Sequence, residues 1–325
     1  MNKIKIGNLE LEGNVFLAPM AGITDMTFRE ICRVYGASMV YSEMVSAKGI
    51  LYDNDNTKQL LDISELGQPT VIQLFGSEPE ILAEAAKKIE HLPFSVLDIN
   101  MGCPAPKIVK NGDGSALMES PKLVAKIMET VSKAIKKPVT MKIRKGINNS
   151  DNAVEIAKIG EEHGASAVTV HGRIREQYYE GTVDLDIIKK VKESISIPVI
   201  ASGDVVDVES CIKTFEYTKV DGLMIGRGSR GNPWLFRDIA YYYRTREMLP
   251  PPTPEEKLSQ CLKHAKMIIA HKGEYIGIRE MRKHAGWYIK GLKGSGVLRT
   301  EINKIDSYEG LETLFTNIFL ENQTQ

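Results

Sequence analysis

A chain that alternates short, almost unbroken apolar runs with amphipathic stretches has few ways to fold, and this one does so eight times. The runs are Val15–Met20, Ala37–Glu43, Thr70–Phe75, Val96–Asn100, Val139–Ile143, Ala167–His171, Val199–Ala201 and Gly222–Ile225. They are β-branched and bounded by turn-forming residues. Runs that are apolar throughout, instead of alternating, are expected of parallel strands buried on both faces. Segments between them, such as 80–89, 121–128 and 152–159, place apolar residues at i, i+3, i+4 and i+7, which turns one helical stripe inward. Eight β-then-α units in about 235 residues match a (β/α)8 TIM barrel. An open doubly wound sheet permits the same alternation. The count of eight, and the lack of a Gly-x-Gly-x-x-Gly after the first run, favour the barrel.

The pattern changes after Pro233-Trp234. A Tyr-rich stretch leads to Leu249-Pro250-Pro251-Pro252-Thr253-Pro254, whose proline run is stiff and cannot continue a helix. Thr253-Pro254-Glu255-Glu256 then reads as a helix start, with a capping residue, Pro in the first turn and acids near the positive end of the helix dipole. The expected organisation is a barrel over 1–240, a linker over 241–252 and a small all-helical domain over 253–325.

Composition narrows the function classes. The 325 residues carry 42 Lys and Arg against 42 Asp and Glu, a net charge of zero, which excludes a binder of nucleic acid over its whole surface but not a local basic patch. No apolar run approaches the ~20 residues of a membrane span, and the start has no secretion signal, so a cytoplasmic protein with no membrane contact is expected. Cys32, Cys103, Cys211 and Cys261 form no C-x-x-C pair; neither a disulfide scaffold nor a metal site is expected. No obligate protein partner is inferred.

In such barrels the chemistry sits at the C-terminal ends of the strands. Here those ends carry Ala18-Pro19-Met20-Ala21-Gly22, Gln73, Asn100-Met101-Gly102-Cys103-Pro104, Lys142 and Arg144, His171-Gly172-Arg173, Ser202-Gly203-Asp204 and Gly226-Arg227-Gly228. The last two loops are the usual phosphate site of the fold; Gly203 and Gly226 allow close backbone approach, and Arg227 offers a bidentate partner. Lys142, in an apolar strand, is expected to face the mouth. There it could neutralise an anionic ring, form a Schiff base or snorkel out. Cys103 stands in a Gly-containing, basic segment running to about Ser120, read as a mobile lid. A thiol there could be a nucleophile or a proton donor; no His or acid adjoins it in sequence, so an acyl-transfer triad is not supported.

From Lys257 to Lys304 there are eleven Lys and Arg against three acids, a local charge of +8. Arg279-Glu280-Met281-Arg282-Lys283-His284 with Trp287 and Tyr288 interleaves cations and rings, which suits RNA.

Together, Ala18-Pro19-Met20-Ala21-Gly22-Ile23-Thr24-Asp25, Asp98-Ile99-Asn100-Met101-Gly102-Cys103-Pro104, His171-Gly172-Arg173 and Met224-Ile225-Gly226-Arg227-Gly228 resemble the flavin-dependent tRNA-dihydrouridine synthases, most closely their bacterial B-type branch. The resemblance implies an FMN-binding barrel, NADPH as reductant, tRNA as substrate gripped by the helical domain, and reduction of the C5=C6 bond of specific uridines in the D-loop. It implies that Pro19, Met20 and Ala21 line the flavin, that Gln73 and Lys142 contact its ring and that His171 lies beside flavin and substrate. Ser202, Gly203, Asp204, Gly226 and Arg227 would bind its ribityl-phosphate end. Asn100 and Arg173 would bind the uridine, Arg282, Lys283 and His284 the tRNA, and Cys103 would give a proton to C5. Ser202 departs from the family's usual Asn. A flavin enzyme acting on a free pyrimidine, of the dihydroorotate dehydrogenase kind, is the alternative; it has no use for the basic helical tail.

Overall fold

The computed structural model describes residues 2–148 and 150–323; the outermost residues of the expected domains, Met1, Thr324 and Gln325, and Asn149 within the first, lie outside them. The chain divides into two compact units, Met1–Gly228 and Ser229–Gln325.

In the first unit a hairpin of β1 (Ile4–Ile6) and β2 (Leu9–Leu11) precedes eight parallel strands. These are β3 (Val15–Leu17), β4 (Met39–Ser46), β5 (Thr70–Phe75), β6 (Val96–Met101), β7 (Val139–Gly146), β8 (Val168–Ile174), β9 (Val199–Ser202) and β10 (Gly222–Ile225). They pair in chain order and β10 closes onto β3, so the TIM barrel is confirmed over the open sheet. All eight runs are strands. β7 and β8 continue past the apolar residues through Arg144-Lys145-Gly146 and Arg173-Ile174, because the strands keep pairing as the barrel wall opens into its polar mouth.

The hairpin was not expected, although Ile4-Lys5-Ile6 and Leu9-Glu10-Leu11 carry the alternation of a half-buried strand. Gly7 turns it at φ +58°. Ile4, Ile6 and Leu11 join Phe16, Met39, Val71, Val96 and Ile200 in one buried cluster, so the hairpin plugs the end of the barrel where the strands begin. The segment after Cys103 also differs from the expected lid. Pro106–Lys110 is a helix and Gly114–Glu119 a 3-10 turn, with Ser115, Leu117 and Met118 buried.

The second unit holds the helices Trp234–Thr245, Pro254–Lys272, Glu274–Tyr288, Ser295–Ile302 and Tyr308–Gln323. Residues 241–245, expected in the linker, form the last turn of the first of these. The helix start at Thr253 is as read. The Thr253 side chain accepts from the Glu256 N–H at 3.2 Å and the Glu256 carboxylate from the Thr253 N–H at 2.7 Å. No helix among the described residues is long and apolar enough to cross a membrane.

Ile6 is fully buried in the plug. Ile6→Ala is expected to cost about 2–5 kcal/mol of stability. Denaturant unfolding checks this; a loss under about 1 kcal/mol would mean that the hairpin does not belong to the barrel's cooperative core.

Candidate active site

Closure of the barrel brings the ends of β5 to β10 to one mouth. The floor of that mouth is a polar chain inside an otherwise apolar barrel. Gln73 on β5 and Asn100 on β6 are almost fully buried and bonded to each other, Asn100 Nδ2 donating to Gln73 Oε1 at 2.8 Å. Asn100 Oδ1 accepts the N–H groups of Gly102, at 3.1 Å, and Cys103, at 2.9 Å. The Cys103 carbonyl accepts from the Ser115 N–H and hydroxyl at 3.0 and 2.9 Å. Gly114, at φ +61°, lies so close that a Cβ would stand 2.8 Å from the Cys103 carbonyl oxygen. The backbone on both sides of the thiol is thus held. Asn100, expected on the uridine, holds this turn through its side-chain oxygen.

Cys103 is partly buried, whereas Cys32, Cys211 and Cys261 are fully so. Burial pushes its thiol above the ordinary 9.0, more than Arg144 and Lys142 pull it down. At neutral pH it is a thiol, a store for a proton, and not a thiolate nucleophile.

Lys142 sits beside Asn100 across the β6–β7 pairing. It is partly buried and has no hydrogen-bond or ion-pair partner among the described residues. Desolvation and repulsion from Arg144 lower it from 10.5 to about 8, against the pull of Asp98 and Cys103. An unpartnered ammonium in a mouth calls for an electron-rich or anionic ligand. Arg144 was noted in sequence but given no role. It clasps two segments, the loop after β6 and the end of β8 with the turn behind it, Nε donating to Gly102 O at 2.8 Å, Nη1 to Ile174 O at 2.9 Å and Nη2 to Tyr178 O at 3.1 Å.

On the other side of the mouth His171 pairs in register with Arg144 on β7 and Ser202 on β9. Burial and the surrounding cations Lys142, Arg144, Arg173 and Arg227 push it well below 6.5, so the imidazole is neutral. Arg173 Nη1 points at His171 Nε2 across 3.4 Å; a guanidinium only donates, which leaves Nε2 the acceptor and Nδ1 the N–H. Arg173, expected on the substrate, lies inside the wall at 1% exposure. Its guanidinium is taken by Asp204, at 2.6 and 2.9 Å, and by the carbonyls of Glu180 and Gly181. Asp204 also accepts from Arg227 at 3.1 Å and from the Val183 N–H at 2.8 Å. From the β9 loop it therefore orders two arginines, Arg173 at the end of β8 and Arg227 after β10. Gly203 stands at φ +126°, where a side chain would also press on Val183 and His171. Pro19 and Met20 are half-buried after β3, and Ala21 is exposed.

In the second unit the expected RNA contacts divide. Lys283 is half-buried; Arg282 is also half-buried, and its Nε donates to Ile305 O at 2.7 Å. His284 is fully buried, its ring 4.5 Å from that of His264 and 5.2 Å from that of Trp287, so it belongs to the helical core. Positions 277, 278, 281, 284, 285 and 288 form the buried stripe of that helix. Sequence reasoning missed an exposed stack instead, Arg279 lying 3.6 Å over the ring of Tyr275. No group of three or more His, Cys, Asp or Glu is placed to hold a metal ion among the described residues.

Residues 16–323 match the family model described as dihydrouridine synthase. The chain belongs to that family. It is 43% identical over 302 residues to a Rickettsia bellii protein named "Probable tRNA-dihydrouridine synthase", covering 92% of this chain and 93% of that one. It is 40% identical over 324 residues to tRNA-dihydrouridine synthase B of Pseudomonas aeruginosa, covering 99% of this chain and 98% of that one. Among solved structures, a 2-naphthoyl-CoA reductase superposes with a TM-score of 0.59 at 14% identity over 74% of this chain. The chain spans about half, 52%, of that protein's length, and the likeness is one of fold.

Lys142 gives a test of the site's electrostatics. The unfolded lysine titrates at 10.5 and the folded one at about 8. Below pH 8 both states are protonated and the folded chain carries the whole penalty; between the two values the folded group deprotonates first and the penalty fades. Lys142→Met in the ligand-free protein is therefore expected to raise stability at pH 7, with a smaller gain at pH 10. Denaturant melts at both pH values check this; an equal gain at both would show that the charge is not the cause.

Proposed function

We propose that this protein is a tRNA-dihydrouridine synthase that uses FMN and NADPH to reduce the C5=C6 bond of uridines in tRNA. The observation that carries the reading is the presence, at one barrel mouth, of a protonated Cys103 thiol and a Lys142 ammonium with no hydrogen-bond or ion-pair partner among the described residues. Family membership and the names of relatives point the same way.

A flavin fits the residues present. Lys142 would hold the electron-rich edge of its ring, with Gln73 alongside, and Pro19, Met20 and His171 would line it. Ser202, Gly203, Gly226 and Arg227 would hold the ribityl phosphate, with Asp204 keeping Arg227 in place. When bound, the reduced flavin supplies hydride for C6 of the uracil. Cys103 then supplies the proton for C5. Arg144 and Lys142 stabilise the thiolate left behind, which takes its next proton from solvent. Neutral His171 neither competes as an acid nor repels a cationic neighbour. The target base has to leave its stack, at a cost of a few kcal/mol that contacts elsewhere on the tRNA must offset. The basic second unit, with the exposed Tyr275–Arg279 stack, suits that task, and Tyr275 offers an open ring face.

Cys103→Ala is expected to keep bound flavin and lose about 10²–10⁴-fold of turnover on tRNA. Single-turnover assays on tRNA lacking dihydrouridine check this; undiminished turnover removes the thiol from the mechanism. Turnover on free uracil by the wild-type chain would instead favour the free-pyrimidine alternative.

Arg279→Ala combined with Lys283→Ala is expected to weaken tRNA binding and to flatten the plot of log K against log salt by about 1–2 units. Binding titrations over a salt series measure it. An unchanged slope would place the phosphate contacts on other residues.

A further inference from the structure

One deep polar residue of the barrel has no part in the chemistry above. Asp98 stands midway along β6 between Leu97 and Ile99 and is fully buried. Its Oδ1 accepts from the Thr140 hydroxyl at 2.6 Å and its Oδ2 from Gln73 Nε2 at 2.7 Å. Gln73 Oε1 accepts from Asn100, whose own oxygen takes the Gly102 and Cys103 N–H groups. An unbroken line of hydrogen bonds thus runs from Thr140 through Asp98, Gln73 and Asn100 to the main chain of Cys103.

The line has a direction. A carboxamide has an accepting end and a donating end of nearly equal size, and it can turn over unless its neighbours forbid it. At the mouth, two backbone N–H groups that can only donate require the oxygen of Asn100. That turns the Asn100 nitrogen towards Gln73 and requires the oxygen of Gln73 in return. The Gln73 nitrogen must then find an acceptor below, and Asp98 is the group that supplies it. With no acceptor at 98, nothing at the lower end opposes a turned-over Gln73. A turned-over Gln73 sets nitrogen against nitrogen at Asn100 and releases the amide that pins the Cys103 turn.

We propose that Asp98 is a positioning residue, which fixes the Gln73 carboxamide, through it the Asn100 carboxamide, and through that the main chain carrying the Cys103 thiol. Its effect on turnover rests on the proton-donor reading of Cys103; its effect on the thiol does not. A competing role for Asp98 is charge alone, since it also draws on the Lys142 ammonium.

The experiment uses the full-length chain and two readouts. One is the rate at which iodoacetamide alkylates Cys103 in the native protein, selective because the other three cysteines are buried. The other is turnover on tRNA with FMN and NADPH. Asp98→Asn removes the charge but keeps an acceptor for Gln73, provided that its new amide nitrogen donates to Thr140, whose hydroxyl turns to accept. It is expected to stay near wild type in both readouts. Asp98→Ala is expected to alkylate several-fold faster as the turn loosens, and to lose about 10²-fold in turnover, the scale of a reacting group misplaced by an ångström. Thr140→Val alone leaves the carboxylate accepting from Gln73 and is expected to be mild. Combined with Asp98→Asn it removes what orients the new amide, so the double variant is expected to fall well below the product of the two single effects. This near-isosteric pair carries the test even where Asp98→Ala does not fold. Asp98→Asn as impaired as Asp98→Ala, or a double variant that is merely additive, would overturn the proposal. Faster alkylation with unchanged turnover would uphold the positioning and overturn the proton-donor role of Cys103.

Discussion

The closure of β10 onto β3 is the constraint on which the rest depends. Leu223, Met224 and Ile225 pair with Val15, Phe16 and Leu17, and the Ala18 N–H donates to Ile225 O at 2.9 Å. Closure removes both sheet edges and, because every strand is parallel, sets all eight C-terminal ends around one rim. Left open, the sheet would hold Pro19-Met20 and Gly226-Arg227 on opposite edges. Closed, it divides its interior along the axis. At the beginning of the strands Phe16, Met39, Val71, Val96 and Ile200 meet the hairpin plug. One layer up the interior turns polar, with Gln73, Asp98 and Thr140, and at the rim it carries Asn100, Lys142, His171 and Ser202.

That gradient explains how ionisable groups persist in a barrel. Each is either tied into a bond pattern or left with a need. Arg144 and Arg173 are buried but surrounded by carbonyls and, for Arg173, by a carboxylate, so they brace the loops. Lys142 has no such partner among the described residues, and its desolvated charge costs stability. A site that lowers stability without a ligand and welcomes electron density with one is the usual exchange of stability for function. The thiol follows the same logic in reverse. Burial keeps its proton on, and the nearby cations ease its departure.

Much of this was legible in the sequence, for stated physical reasons. Parallel strands buried on both faces must be apolar throughout, so all eight runs stood out. Their ends did not, because a strand at a barrel mouth continues through Arg144 or Arg173 while an apolar criterion stops. The hairpin escaped because its strands are three residues each. The mouth residues were legible because the fold dictates where chemistry sits. What each one touches was not. Arg173 and Asp204 lie far apart in the chain, and only the folded loops show that they neutralise each other. His284 was misread because charged neighbours drew attention from the helical period, which puts it on the same buried stripe as Met281 and Tyr288. Asp98 went unassigned although an acid within Val96-Leu97-Asp98-Ile99 is itself a signal: a buried carboxylate needs donors, and those donors lie on β5 and β7.

The central claim, that this mouth hydrogenates a pyrimidine within tRNA, is tested most directly by mapping the product. A tRNA transcript without modifications is incubated with the purified chain, FMN and NADPH, and dihydrouridine is located residue by residue. The account predicts dihydrouridine at a small set of defined uridines and none formed from free uridine under the same conditions. A transcript left unreduced while the protein's flavin turns over, or uridine reduced as readily free as in tRNA, would contradict it.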